Sequence, residues 1–250
     1  MADDWQFYFC HRDGKIASVA VNLGFEAIAP DASRPWLVGI RIKMKSPNPN
    51  GLSGASEGAA FDGIQGRLNA AFQKELGAVA IGVVTSAGWW EFYYQARHAT
   101  GFPVFLTSAL GEFVSYERMT YSKDDKSWGM YRSVLVPSEE KMNQQIINRE
   151  VIQNLRNLGW DQKKPLRVDH VLLLPTAEKR NEGMGMAQQE GYEVTDQFEL
   201  ESGEAQGFAL QISRNVVPEE HSMQAVVFHL IDLAGSLGGK YDGWGAMVTR

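Results

Sequence analysis

The residues best suited to acid–base chemistry are Asp169 and His170, which are adjacent in a predicted strand. Adjacent strand residues point to opposite faces of a sheet, so one of the two must lie on the helix-covered side or at the sheet edge. In the predicted fold the first and last strands of this half are neighbours, which brings Asp242 and Trp244 close to the pair. Such a cluster suits a binding site as readily as a catalytic one, and a buried histidine beside an exposed acid is the commoner arrangement. With Tyr241, these residues form the first candidate partner-binding site.

No other pattern in the sequence indicates catalysis. The run at residues 51–55 lacks the final glycine of a nucleophile elbow. Cys10 and His11 could form an activated thiol, but no acid can be assigned to orient the histidine. The five histidines do not have the spacing of metal ligands. We therefore predict a protein that is not an enzyme and that needs no cofactor or metal. An enzyme of undetected type stays a third alternative, because catalytic groups need not be adjacent in a sequence.

The second candidate surface is acidic. Between Asn181 and Ser213 the chain has seven acidic residues and no lysine or arginine. Such a run is usually a solvated face and otherwise a docking surface for a basic partner. The alternation around Tyr192 predicts that the acids share one side of an exposed strand. The acids assigned here to the candidate partner-binding surface are Glu193, Glu199 and Glu201.

A basic and aromatic set in the first half suggests a different ligand. If two predicted strands pair as expected, one open sheet face carries these side chains together: Arg41, Lys43, Lys45, Trp89 and Tyr93. Aromatic rings that stack on bases, beside cations that contact phosphates, are what a single-stranded RNA site requires. The competing explanation is that the aromatic residues close a domain interface, since burial of apolar area stabilises by roughly 25 cal/mol per Å².

The polar run at residues 123–126 separates two halves with the same predicted order of elements, strand-helix-strand-strand-helix-strand. In the first half, alternating and helical periodicities predict strands at 36–45, 78–85, 89–97 and 113–121, with helices before 77 and at 103–110. A hairpin at 5–22, with its turn at Asp13 and Gly14, precedes them. A connecting strand at 128–136 and a helix from Ser138 lead to the second half, which has strands at 166–174, 192–200, 208–214 and 241–248 and helices at 176–190 and 219–237.

The element order predicts an α+β protein of two ferredoxin-like (βαββαβ) α/β sandwiches with antiparallel sheets, preceded by an N-terminal β-hairpin. We place the domains at residues 1–124 and 127–250. The chain of 250 residues is 44% hydrophobic, which is enough for two small cores. Its net charge of -6 argues against non-specific binding to nucleic acid or membranes. One cysteine and the lack of a signal or spanning segment predict a cytoplasmic protein.

Two family resemblances follow from particular motifs. The ending Tyr241-Asp-Gly-Trp-Gly245, with the Asp169–His170 step and Gly191-Tyr-Glu-Val194, resembles the bacterial family of the regulator of ribonuclease E activity B over roughly residues 138–250. The first half contains a second set of motifs: Asn22-Leu-Gly24, Pro35-Trp-Leu-Val38, Pro49-Asn-Gly-Leu-Ser53 and the aromatic strand after Gly88. With these motifs it resembles a bacterial domain of unknown function, the 695 family.

The first resemblance implies a non-enzymatic regulator that binds a ribonuclease or a comparable protein through an acidic α/β surface. Our leading hypothesis is therefore a cytoplasmic protein-binding module. The alternative is single-stranded RNA binding by the first half. Whether the chain forms a homodimer is left open by the sequence.

Overall fold

The computed structural model describes residues 3–200 and 207–248. Contacts between Cα atoms divide the chain into two compact units, Met1–Pro137 and Ser138–Arg250. The predicted α+β class with antiparallel sheets is confirmed in both units. Within the described residues, no helix combines the length and the apolar character that crossing a membrane requires.

The first unit is a six-stranded antiparallel sheet with two helices on one face. Its elements are β1 (Trp5–Arg12), β2 (Lys15–Asn22), β3 (Trp36–Lys43), α1 (Gly58–Leu76), β4 (Val79–Ser86), β5 (Trp89–Ala96), α2 (Phe102–Leu110) and β6 (Arg118–Asp124). The strand order is β1-β2-β4-β5-β3-β6. Strands β3 to β6 therefore have the ferredoxin-like arrangement, and the β1–β2 hairpin extends the sheet at β4.

Local chemistry accounts for most of these elements. Asp13 and Gly14 both have positive φ, as a two-residue hairpin turn requires. Helix α1 presents Ile64, Leu68 and Phe72 to the sheet at helical spacing, and all three are fully buried. Trp90, Phe92, Tyr94 and Ala96 alternate along β5 and belong to the same core.

The segment after β6 differs from the prediction. In place of a connecting strand at 128–136, the chain forms a wide helical turn at Tyr131–Leu135. The carboxylate of Asp125 accepts hydrogen bonds from the backbone N–H groups of Gly129 and Met130 at 2.8 and 3.3 Å. The first N–H groups of a helical turn have no partner within the turn, and these two bonds satisfy them. In a strand, the same groups would hydrogen-bond to a neighbouring strand.

Contacts with distant residues hold this turn on the sheet face that α1 and α2 do not cover. The Tyr8 hydroxyl donates to the Leu135 carbonyl at 2.8 Å, and the Tyr131 hydroxyl donates to the Asn22 carbonyl at 2.9 Å. A Cβ on Gly82 of β4 would lie 2.7 Å from Leu135 Cδ1, so only glycine permits this approach. The turn therefore belongs to the first unit.

The second unit is a four-stranded antiparallel sheet with its own helices. Its elements are α3 (Glu139–Asn157), β7 (Leu166–Leu174), α4 (Ala177–Gln189), β8 (Glu193–Leu200), β9 (Gly207–Val216), α5 (Glu220–Ser236) and β10 (Lys240–Ala246). The strand order is β10-β7-β9-β8, which is again ferredoxin-like. Ser138 caps α3 by accepting from the Lys141 N–H at 3.3 Å. Helix α3 packs against α5, where Lys141 and Asp232 form an ion pair at 2.7 Å.

Candidate partner-binding site

The sequence step Asp169–His170 is divided between the two faces of β7. Burial alternates along this strand, and His170 is on the buried side with an exposure of 2%. His170 Nδ1 and the Tyr241 hydroxyl oxygen share a hydrogen bond at 2.9 Å. Burial, with a smaller effect of the Arg214 charge, lowers the pKa of His170 to about 3. The imidazole is therefore neutral near pH 7 and forms part of the core.

An aromatic cluster encloses His170. The Tyr192 ring meets the imidazole edge-on with centroids 6.0 Å apart, and the Arg214 guanidinium lies 4.6 Å from the centre of the Tyr192 ring. Burial raises the pKa of Tyr192 and of Tyr241 above the usual tyrosine value. A cavity of about 60 Å³ adjoins the cluster, lined by His170, Arg214, Val216, Ser222, Met223 and Val226.

At the β10 edge of the sheet, a surface groove of about 310 Å³ collects the other predicted residues. We call it the β10 groove. Its lining consists of Gln144, Ile147, Asp169, Val171, Gln211, Asp242, Gly243, Trp244 and Gly245. The structure thus brings Asp169, Asp242 and Trp244 together in one groove, whereas His170 lines a different cavity although it is the strand-pairing partner of Trp244. Within the described residues, the cavity that adjoins His170 is therefore distinct from the groove that holds Asp169 and Asp242.

The Tyr-Asp-Gly-Trp ending shapes this groove. The pairing of β10 with β7 shifts register between Tyr241 and Gly243, so Asp242 is the extra residue of a β-bulge. Gly243 has φ of +133°, which side chains disfavour. Trp244 donates its indole N–H to Asn148 Oδ1 of α3 at 2.7 Å. Each residue of the motif therefore has a separate structural role.

The charges of the β10 groove are only partly compensated. Arg167 Nε lies 3.8 Å from the Asp169 carboxylate. Asp242 makes no ion pair with any residue that the structure describes. Within residues 3–200 and 207–248, no group of three or more histidine, cysteine or acidic residues is placed to hold a metal ion. The groove therefore offers two carboxylates beside apolar and amide side chains.

The expectation that the β8 acids share one side is wrong. Glu193 pairs with Ser213, and its carboxylate lies 3.4 Å from Arg167 Nη2. A register shift between Val194 and Asp196 then reverses the faces, so Glu199 stands opposite Phe208 on the side of α4. Arg180 of α4 lies over the Phe208 ring at 5.5 Å, as this assignment requires. Glu201 lies outside the described residues.

Of the predicted RNA-binding residues, three come together on the sheet face of the first unit that α1 and α2 leave uncovered. The Arg41 guanidinium and the Lys43 ammonium lie 5.0 and 5.8 Å from the centre of the Trp89 ring. Lys45 is elsewhere, 4.2 Å from the centre of the Tyr116 ring. Tyr93 is on the same face as Trp89 but is only 3% exposed, which leaves little of its ring for stacking.

Glu91, which the sequence analysis did not assign to this site, is its central residue. Its side chain is 8% exposed and forms ion pairs with Arg12 Nη1 at 2.7 Å and Arg41 Nε at 2.9 Å. It also accepts a hydrogen bond from the Tyr93 hydroxyl. Burial and then Glu91 raise the pKa of Tyr93. Burial opposes charge on Arg12, but Tyr93 and Glu91 together raise its pKa above the usual arginine value. The position of Glu91 between Trp89 and Tyr93 on one strand face was the available signal.

Comparisons with known proteins agree with both resemblances. Residues 145–246 match the model of the family described as regulator of ribonuclease activity B. No curated protein matches the chain. An unknown protein from Galdieria sulphuraria, known from a crystal structure, has 12% sequence identity with this chain and a TM-score of 0.24. The alignment covers 85% of this chain and 98% of that protein. A putative glycine cleavage system transcriptional repressor is 11% identical, with coverages of 86% and 98% and the same TM-score of 0.24. These scores are too low to carry an argument. The model of the family of unknown function (DUF695) matches residues 3–136, more than half of the chain, and the chain therefore belongs to that family.

Proposed function

We propose that the protein is a non-enzymatic regulator whose second unit binds a protein partner through the β10 groove. The observation that carries this proposal is the meeting of Asp169 and Asp242 in one concave surface beside Val171 and Ile147. The similarity of this unit to regulators of ribonuclease activity makes a ribonuclease the first partner to test.

The groove suits a segment that presents a lysine or arginine next to an apolar side chain. The two carboxylates attract the cation, while Val171 and Ile147 supply apolar surface. Ile147 is 45% exposed and is available to a partner. Gln144 and Gln211 add amide groups that hydrogen-bond to a peptide backbone. Charges at the rim of an interface mainly accelerate association and select the partner.

The direct test is binding of the full chain to ribonuclease E, followed by fluorescence anisotropy. The double variant Asp169→Asn, Asp242→Asn keeps the shape of the groove and removes its charge. Loss of two partly exposed charge contacts raises the dissociation constant roughly five- to thirtyfold. Asp62→Asn, an exposed acid of α1, is the matched control and leaves binding unchanged.

Two results would count against this proposal. One is the absence of binding by the wild-type chain at low salt, where charge attraction is strongest. The other is an unchanged dissociation constant in the double variant, which would place the interface elsewhere. The rate of RNA cleavage by the bound ribonuclease, measured in parallel, distinguishes an inhibitor from a passive ligand.

A second candidate function is binding of single-stranded RNA by Arg41, Lys43 and Trp89. The stacking of both cations on one indole ring favours it. Glu91 opposes it, because this buried acid already neutralises Arg41. Titration of a fluorescent oligonucleotide at low and high salt decides the matter, and absence of binding at low salt excludes this function.

A further inference from the structure

Strand β6 is an exposed edge of the first sheet. Among the strands that the structure describes, it pairs only with β3, and each of its residues after Arg118 is exposed. Its outer side therefore presents a row of backbone N–H and C=O groups without strand partners. Such an edge can accept a strand from another chain unless its side chains prevent it.

The sequence of β6 is complementary to itself in the antiparallel direction. When two copies are aligned with Tyr121 opposite Tyr121, Arg118 of each copy stands opposite Asp124 of the other. In the same register Thr120 stands opposite Ser122. Opposite charges and hydroxyl pairs at directly facing positions stabilise antiparallel strands, while like charges destabilise them.

The faces of the strand agree with this register. Pairing with β3 sets Arg118 opposite Ile42 and Asp124 opposite Trp36, so both charged residues share the helix-covered face. Tyr121 is on the other face, opposite Gly39. A Cβ on Gly39 would collide with the Tyr121 ring, so the ring is held close against β3. The central residue of the pairing is therefore held in place before any partner arrives.

The charges that this register uses are available. Arg118 makes no ion pair within the described residues. Asp124 contacts Lys126 at 3.0 Å, but both side chains are largely exposed and such a pair contributes little. A register centred on Thr120 would set Lys123 opposite Glu117, which Lys43 already engages at 3.0 Å.

We propose that two copies of this chain associate through β6, with a two-fold axis at Tyr121, so that their sheets form one continuous antiparallel sheet. A two-fold axis makes the contact isologous, and it closes after two copies. Charged residues on an edge strand usually prevent association. Here they prevent unrelated strands from pairing and admit a second copy in one register.

The test is sedimentation velocity of the full chain over a range of concentrations. Wild type shows a monomer–dimer equilibrium. Asp124→Arg places Arg118 opposite an arginine, and Arg118→Asp places Asp124 opposite an aspartate. Either variant alone raises the dimer dissociation constant by about tenfold or more, because two attractive pairs become repulsive. Lys163→Asp, an exposed lysine of the second unit, is the charge-matched control and leaves the equilibrium unchanged.

Mixing the two variants gives the decisive result. In the mixed dimer, Arg118 of one copy again faces Asp124 of the other, and the two substituted residues face each other with opposite charges. We expect the equimolar mixture to regain dimer, as does the double variant Arg118→Asp, Asp124→Arg. Restoration by mixing also shows that each single variant is folded.

The proposal is overturned if wild type stays monomeric at every concentration. It is overturned equally if the dimer persists in both single variants, or if the mixture fails to dimerise while circular dichroism shows folded chains. A dimer that responds to Lys123→Glu and not to Asp124→Arg would indicate the register centred on Thr120 and refute the one proposed.

Discussion

The indole N–H of Trp244 donates to Asn148 Oδ1 at 2.7 Å and so joins the edge strand β10 to α3. Asn148 is 1% exposed, and the same oxygen accepts from Gln144 Nε2 at 3.4 Å. Gln144 and Trp244 both line the β10 groove. The hydrogen bond therefore fixes the wall of the groove that α3 supplies.

Removing this acceptor should destabilise the second unit. Asn148→Ala leaves the Trp244 N–H without its partner and opens a small cavity, which costs about 1–3 kcal/mol. Urea unfolding monitored by circular dichroism measures the change in the free energy of unfolding. Asn154→Ala, an exposed asparagine of α3, is the control and changes it little. Equal effects of the two substitutions would show that the Trp244 bond is not important.

The bulge of β10 should depend on Gly243. Gly243→Ala forces a side chain into a backbone conformation with φ of +133° and costs about 1–3 kcal/mol. The same change should displace Asp242 and weaken partner binding. Gly245→Ala is the matched control, because φ is not positive there and no atom lies within 4 Å of the added methyl group. Thermal unfolding and the anisotropy assay report the two effects separately.

The buried His170 should make the second unit sensitive to acid. Its pKa falls from the usual 6.5 to about 3 in the folded state, so only the unfolded chain takes up this proton between those values. The unfolded state then binds more protons, and stability decreases as pH falls from about 6.5 toward 3. Above pH 7 the contribution is constant. The free energy of unfolding of wild type and His170→Gln, compared at several pH values, isolates this effect.

For His170, we expect the difference in the free energy of unfolding between wild type and variant to become smaller as the pH falls. The variant cannot gain a proton at this position, so its own stability changes less over the same window. A difference that stays constant from pH 7 to pH 4 would contradict the assigned pKa. Tyr241→Phe provides a companion test, since it removes the hydrogen-bond partner of His170 and leaves the ring in place.

Glu91 should be required for the polar network of the first unit. Glu91→Gln leaves Arg12 and Arg41 without their anion in a partly buried site, which costs about 2–3 kcal/mol. Glu117→Gln breaks only an exposed pair with Lys43 and costs about 0–1 kcal/mol. Chemical denaturation of both variants measures the contrast. If the Trp89 surface binds RNA, Glu91→Gln also strengthens that binding, because Arg41 becomes available to phosphate.

Apart from the connecting strand expected at 128–136, the sequence alone predicted the order of the elements and their ferredoxin-like arrangement in both units. The signals are local. Alternation marks strands such as β5, helical spacing marks α1, and Asp13 with Gly14 specifies a hairpin turn. Both family resemblances also came from short motifs, and the matches to the two family models agree with them.

The tertiary structure decided which residues come together in each candidate site. The turn at 131–135 depends on Asn22 and Tyr8, which are more than one hundred residues away in the chain. The bulge in β8 sends Glu193 and Glu199 to opposite faces, and the bulge in β10 sets Asp242 in the groove. Strand periodicity predicts a face only while pairing stays in register. A single extra residue moves all the following side chains to the other face, and the local sequence does not indicate where that residue lies.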